Sequence, residues 1–110
     1  MPMNQIALIA PQGRLDAAGA RPLEAELMQH LAAGDVQILI DLEKTRYISS
    51  DGLRALLAAQ KRAKKQGGAL KLCCLSRRLV EIFEMSGFDR VFEIFPDREQ
   101  AEKSFDQVQK

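Results

Sequence analysis

The sequence predicts a single α/β domain, a mostly parallel (mixed) sheet of about four strands with about four helices packed on it. Three observations carry that expectation. Short β-rich runs alternate with helix-period runs along the chain, as a parallel sheet with helical crossovers requires. Val36-Gln37-Ile38-Leu39-Ile40-Asp41-Leu42 is almost continuously aliphatic, the pattern of a central strand covered on both faces. A chain of 110 residues, 46% hydrophobic and 28% charged, is enough for one core and no more, so residues 1–110 are read as one domain.

Each element has its own signal. Residues 5–10 read as the first strand, and Pro11-Gln12-Gly13 either ends it or kinks it before Arg14-Leu15. In residues 21–33, Leu23, Leu27 and Leu31 recur four apart, with Pro22 in the first turn and Gly34 at the far end, which predicts a helix. The aliphatic strand follows at 36–42. Residues 52–66 carry Leu53, Leu56, Leu57, Ala59 and Ala63 on one helical side and close on Gly67-Gly68. Residues 69–75 form the next strand. Leu79, Ile82 and Phe83 mark a third helix ending near Ser86-Gly87, and residues 91–95 a short strand. Pro96-Asp97 start a last helix whose inner face is Ala101 and Phe105.

Composition narrows the function classes. A formal charge of +1 offers nucleic acid no general electrostatic attraction. No apolar run approaches the roughly 20 residues that span a bilayer, and Met1-Pro2-Met3-Asn4-Gln5 lacks the basic and apolar segments of a secretory signal. Direct membrane insertion is therefore not expected. A phosphate loop of the Gly-x-Gly-x-x-Gly or Walker kind is absent from the sequence, and His30 is distant in sequence from every candidate serine. The expectation is a protein that is not an enzyme and needs no cofactor. Cys73 and Cys74 are adjacent; on a strand they point to opposite faces, poorly placed to share a metal, and are read as reduced packing residues of a cytoplasmic protein.

The segment Tyr47-Ile48-Ser49-Ser50-Asp51-Gly52-Leu53-Arg54 concentrates the chemistry. Ser49, Ser50 and Asp51 are all helix-capping residue types, yet one helix start has no use for three caps. A helix start also accommodates a phosphate, because free N–H groups and the positive end of the dipole favour added negative charge. Gly52 leaves the backbone approachable. Capping alone and phosphate acceptance both remain open from the pattern. Asp16 is either a turn or cap residue or a partner-facing one. Leu53 is either core or partner contact, and Arg54 would meet a docking partner if exposed. Arg14 reads as solvated. Lys61, Arg62, Lys64 and Lys65 fall in the last turns of a helix, where cations offset the carbonyl end of the dipole. His30 reads as a surface residue, and Phe83, Met85 and Phe88 as a packed corner.

In these residues the chain resembles the STAS-domain family, and within it the stand-alone anti-sigma factor antagonists of bacteria. Gly13-Arg14-Leu15-Asp16 matches the Gly-x-Leu-Asp signature; Ile38 to Leu42 and Tyr47 to Leu53 match the following strand and its Ser-Ser-x-Gly-Leu loop. Gly67-Gly68-Ala69-Leu70 and Met85-Ser86-Gly87-Phe88 match later landmarks. Ser49 stands where many members have aspartate, and Asp51 where many have serine or alanine. The resemblance implies an antagonist that binds an anti-sigma factor serine kinase when unmodified, is inactivated by phosphorylation of Ser50, and is restored by a serine phosphatase, so regulating transcription. Ser49 is the alternative acceptor. It further implies partner-binding roles for Asp16, Ser49, Asp51, Gly52, Leu53 and Arg54, and a monomer. Such members carry an additional short strand first, expected here to be missing or formed by residues 1–5. The competing expectation is a STAS subunit that regulates a membrane transporter of lipids or anions without phosphorylation.

Overall fold

Aliphatic strands with two buried faces need cover on both sides, and the computed structural model, which describes residues 5–106, supplies it unequally. The main sheet contains β1 (Ala7–Ile9), β3 (Gln37–Asp41), β5 (Ala69–Cys73) and β6 (Ile94–Phe95) in the order β1-β3-β5-β6, all parallel. A second, two-stranded parallel sheet pairs β2 (Gly13–Leu15) with β4 (Thr45–Ile48). The helices are α1 (Ala17–Ala32), α2 (Ser50–Lys65), α3 (Arg77–Ser86) and α4 (Arg98–Asp106), with a 3₁₀ turn at Phe88–Arg90. Among the described residues, no helix is long and apolar enough to cross a membrane.

Strand alternation sorts the core into two layers. Ile38 and Ile40 of β3 and Leu70 and Leu72 of β5 pack with Leu23, Leu27 and Leu31 of α1, Leu56 and Ala59 of α2, and Phe83 of α3. The opposite face of the same strands presents Leu39 and Cys73 to Ala101 and Phe105 of α4. Lys71 belongs to that second face and is only 2% exposed. Its ammonium donates to Ser104 Oγ at 2.9 Å, lies 3.4 Å from Glu93 and stands 4.6 Å over the Phe105 ring, so the buried charge has partners.

Several expectations need correction. The run 5–15 is two strands in two sheets, and β4 is a strand where only a connecting segment was expected. Helix α1 begins four residues earlier than residue 21, so Pro22 lies inside it. Beyond the 3₁₀ turn only Ile94–Phe95 pairs as strand. His30, read as a surface residue, is partly exposed and its Nδ1 lies 2.9 Å from Asp35 Oδ2. Phe83 is buried, but Met85 of the expected packed corner is 88% exposed. The additional strand expected from residues 1–5 lies, but for Gln5, outside the described residues.

Candidate functional site

The small sheet brings two helix starts together. β2 and β4 run parallel with Leu15 opposite Ile48, and each strand passes through one residue into a helix: Asp16 into α1, Ser49 into α2. Ser49 ties the two connections, its N–H donating to Leu15 O at 3.0 Å and its hydroxyl to the same carbonyl at 3.1 Å. Parallel pairing thus places Asp16 beside the Ser49-Ser50 segment, which lie far apart in sequence.

Both helices come close to the strands through a glycine at their third position. A Cβ on Gly19 would stand 2.0 Å from the Arg14 carbonyl oxygen; one on Gly52 would stand 2.6 Å from Ile48 Cγ1 and 2.8 Å from the Leu15 carbonyl oxygen. Gly52 is therefore buried against the small sheet rather than open to a partner, and Leu53 is buried in the core beside it. Neither meets a docking surface directly, which corrects the reading of both as partner-facing. Gly52 serves instead to let α2 start hard against β2 and β4.

The helix starts differ in how their free N–H groups are treated. Asp16 accepts from Gly19 N–H at 2.9 Å, Ser76 from Leu79 N–H at 3.2 Å and Asp97 from Gln100 N–H at 2.8 Å. Ser49, the cap residue of α2, makes no such bond, because its hydroxyl is turned to Leu15. Among the described residues, α2 is the one α-helix whose start lacks a side-chain cap. Ser50 is the first residue of that start and is exposed; Ser49 is half-buried.

The charges around it are local. Asp51 pairs with Arg54 at 2.8 Å on the exposed face of α2. The Asp16 carboxyl is held below the ordinary carboxylate range by the Gly19 N–H, helped by Arg14 and opposed by desolvation. Arg14 is exposed but not merely solvated: its guanidinium lies 4.5 Å over the Tyr47 ring across the small sheet. An open groove between α1 and α2 continues from this point, lined by Ala17, Arg21, Asp51, Arg54, Ala58 and Lys61. Sequence reasoning placed Tyr47 in the serine segment but missed its contact with Arg14, and missed that Arg21 and Lys61 line the groove beside it. Arg62, Lys64 and Lys65 occupy the last turn of α2, as expected.

A second cluster lies at the ends of β3 and β5. Cys74 does not continue the strand; its φ of +66° breaks the alternation and leaves its sulfur 3.5 Å from that of Cys73. The two thiols therefore do not point to opposite faces. Asp41 lies with them, its carboxylate bonded to Arg98 Nη2 at 2.9 Å and to the Glu43 N–H at 2.9 Å. Burial raises both thiols above the ordinary range, while for Asp41 the opposing effect of burial is outweighed by those hydrogen bonds and its carboxyl is lowered.

With this geometry established, known proteins can be compared. Residues 3–101 match the STAS domain. A Bordetella bronchiseptica protein, BtrV, which carries the name of an anti-sigma factor antagonist, is 39% identical over 94 residues, 86% of this chain and 81% of that protein. The anti-sigma-B factor antagonist of Bacillus subtilis is 35% identical over 82 residues, 74% of each chain. Among solved structures, a Thermotoga maritima protein also named for anti-sigma factor antagonism superposes with a TM-score of 0.85 at 18% identity, covering 91% of this chain and 86% of that one, a likeness of fold.

Proposed function

The chain belongs to the STAS-domain family, with relatives named anti-sigma factor antagonists, and from that premise we propose that it is a phosphorylation-controlled partner switch. Unmodified, it binds an anti-sigma factor that is a serine kinase, and so frees a transcription factor. Phosphorylated on Ser50, it lets the kinase go. A serine phosphatase resets it, and the cycle runs in the cytoplasm. The chain contributes no catalytic group, since the kinase brings ATP and metal ion.

One observation carries the reading: the exposed residue Ser50 stands on the one α-helix start, among the described residues, left without a side-chain cap. A phosphate there gains from the helix dipole and from N–H groups that no neighbouring side chain has taken. It would carry about −1.5 to −2 charges at neutral pH. The fold has no reason to break. The new charge instead falls on the partner, by bulk, desolvation and repulsion. Ser49 is the weaker acceptor, because its hydroxyl is half-buried and already bonded to Leu15 O. Asp51 and Arg54, which are exposed, and Asp16, which is partly exposed, remain the groups around Ser50 for a partner to read, with the α1–α2 groove beside them.

The test is a binding and modification experiment. Pull-down with unmodified and S50E protein, read by mass spectrometry, should capture an anti-sigma factor kinase with the first and much less with the second. Incubation of that kinase, ATP and Mg²⁺ with the protein should add one phosphoryl group. Equal capture by both proteins, or an unchanged mass, would overturn the proposal. Co-purification with a permease and no mass gain would point to the transporter-regulating alternative.

A further inference from the structure

The carboxyl ends of β3 and β5 hold a group of ligands that the switch does not use. Asp41 and Cys73 are register partners, so their side chains emerge together on the face that α4 covers. Cys74 then turns back, the one non-glycine residue with positive φ among the described residues. Its backbone is fixed in that turn by the bond from its N–H to Phe95 O at 3.2 Å. The result is a carboxylate oxygen and two sulfurs all within 4.8 Å of one another.

We propose that Asp41, Cys73 and Cys74 form a binding site for a thiophilic d¹⁰ cation of the Zn²⁺ and Cd²⁺ class. Two thiolates about 2.3 Å from a tetrahedral ion stand about 3.8 Å apart, and a thiolate and a carboxylate oxygen about 3.5–3.7 Å apart. The sulfur pair at 3.5 Å needs an opening of only about 0.3 Å to meet that geometry. Paired sulfur ligands select such ions over Mg²⁺ or Ca²⁺, which take oxygen cages. Solvent water completes the fourth position.

The surroundings suit a cation once the thiols ionise. Arg98 donates from Nη2 and Nε to Asp41 Oδ2, and the Glu43 N–H donates to Oδ1, which keeps one lone pair to give the ion. Two thiolates and one carboxylate against a divalent ion leave one negative charge, which the Arg98 guanidinium balances. Binding releases the two thiol protons to solvent and involves no oxidation. Cys73 is fully buried, but Cys74 is only partly covered and the side chain of Arg98 is half-exposed, so the ion has an approach from the first turn of α4. The site uses neither Ser50 nor either of the helix starts at the small sheet, and stands or falls independently of the switch.

The test is titration of the full chain, kept reduced by a phosphine, with Cd²⁺, followed by thiolate-to-metal charge-transfer absorption in the ultraviolet. Zn²⁺ is then measured by competition with a chromophoric chelator. One ion per chain is expected. Cys74→Ala, at the partly exposed position, should weaken binding by at least about 100-fold, more than the ~10–100-fold typical of losing an outer-shell partner alone. Asp41→Asn should weaken it less, and circular dichroism of each variant checks the fold. Should Cys74→Ala unfold, Cys74→Ser serves in its place, with the same loss expected. Absence of a saturable absorption band, one ion per two chains, or wild-type affinity in folded Cys74 variants would overturn the assignment.

Discussion

Helices α1 and α2 begin side by side, each one residue beyond a strand of the same small sheet and each with a glycine at its third position, yet they are finished differently. At α1 an aspartate closes the start: its carboxylate takes the Gly19 N–H and brings negative charge to the positive end of the dipole. At α2 the equivalent residue is Ser49, whose hydroxyl is spent on Leu15 O, and the start is left without that cap. A helix end satisfied by its own chain has little to gain from an added phosphate. One left open can take the charge without strain, and on the proposed function the contrast would separate a structural start from a regulatory one.

The largest effect that would break the comparison is chemical. Ser50→Ala should fold and bind the kinase as wild type does, but phosphoryl incorporation, measured by intact mass, should fall to background. Ser49→Ala should still be modified. If Ser49→Ala lost the phosphate and Ser50→Ala kept it, the assignment of the exposed hydroxyl would be reversed.

Next come the two glycines, where the starts should behave alike. Gly19→Ala places a methyl on a backbone oxygen, and Gly52→Ala places one between Ile48 and Leu15. Each should cost about 1–3 kcal/mol. For a domain of this size, thermal denaturation should show a fall of about 4–8 °C per kcal/mol. Gly19→Ala should be the worse, because a carbonyl yields less readily than the end of an isoleucine. A wild-type melting temperature in both would mean that the helices do not sit this close to the sheet.

A smaller effect distinguishes the capped start by pH. The folded-state pKa of Asp16 is lowered, chiefly by the Gly19 N–H, so its contribution is complete above the unfolded value of about 3.9 and is lost as pH falls through the folded one. Asp16→Ala should therefore melt lower than wild type at neutral pH, and the gap should close in strongly acid solution. A gap independent of pH would show that the carboxylate is not the cap. The smallest shift belongs to Ser50→Glu. Dipole attraction offset by repulsion from Asp51 should move stability by no more than about 1 kcal/mol, read by urea denaturation at low salt, even as partner binding drops. Melting of the domain by this substitution would contradict the tolerance of α2 for charge.

Particular residues show how much was legible in advance. Leu23, Leu27 and Leu31 announce α1 and are all buried, and the aliphatic run 36–42 announces the central strand. The start of α1 was misplaced because Ala17 to Ala20 lack a polar-apolar pattern and Pro22 looked like a first-turn proline. Strand β4 was hidden because it is short, partly exposed and paired only with another short strand. Ser50 is marked by its type, its neighbours and the resemblance, while the bond of the Ser49 hydroxyl to Leu15 O shows only in the structure. The cysteines misled for a related reason. Alternation holds only while a strand continues, and the left-handed turn at Cys74 lies just past its end.

The amino-acid sequence by itself determined the α/β class, the order of the main strands and helices, the two-faced burial of β3 and the segment in which to look for the switch. These follow from periodicity and residue chemistry, which act over a few residues. Only the tertiary structure decided which helix start is capped, which serine is exposed, that Gly52 and Leu53 face inward, and that two sulfurs and a carboxylate meet beyond the strand ends. Each of those depends on a hydrogen bond or a close approach between segments some 30 residues apart in the chain, such as Ser49 with Leu15 or Asp41 with Cys73. Local pattern has no means of encoding where such distant partners will stand.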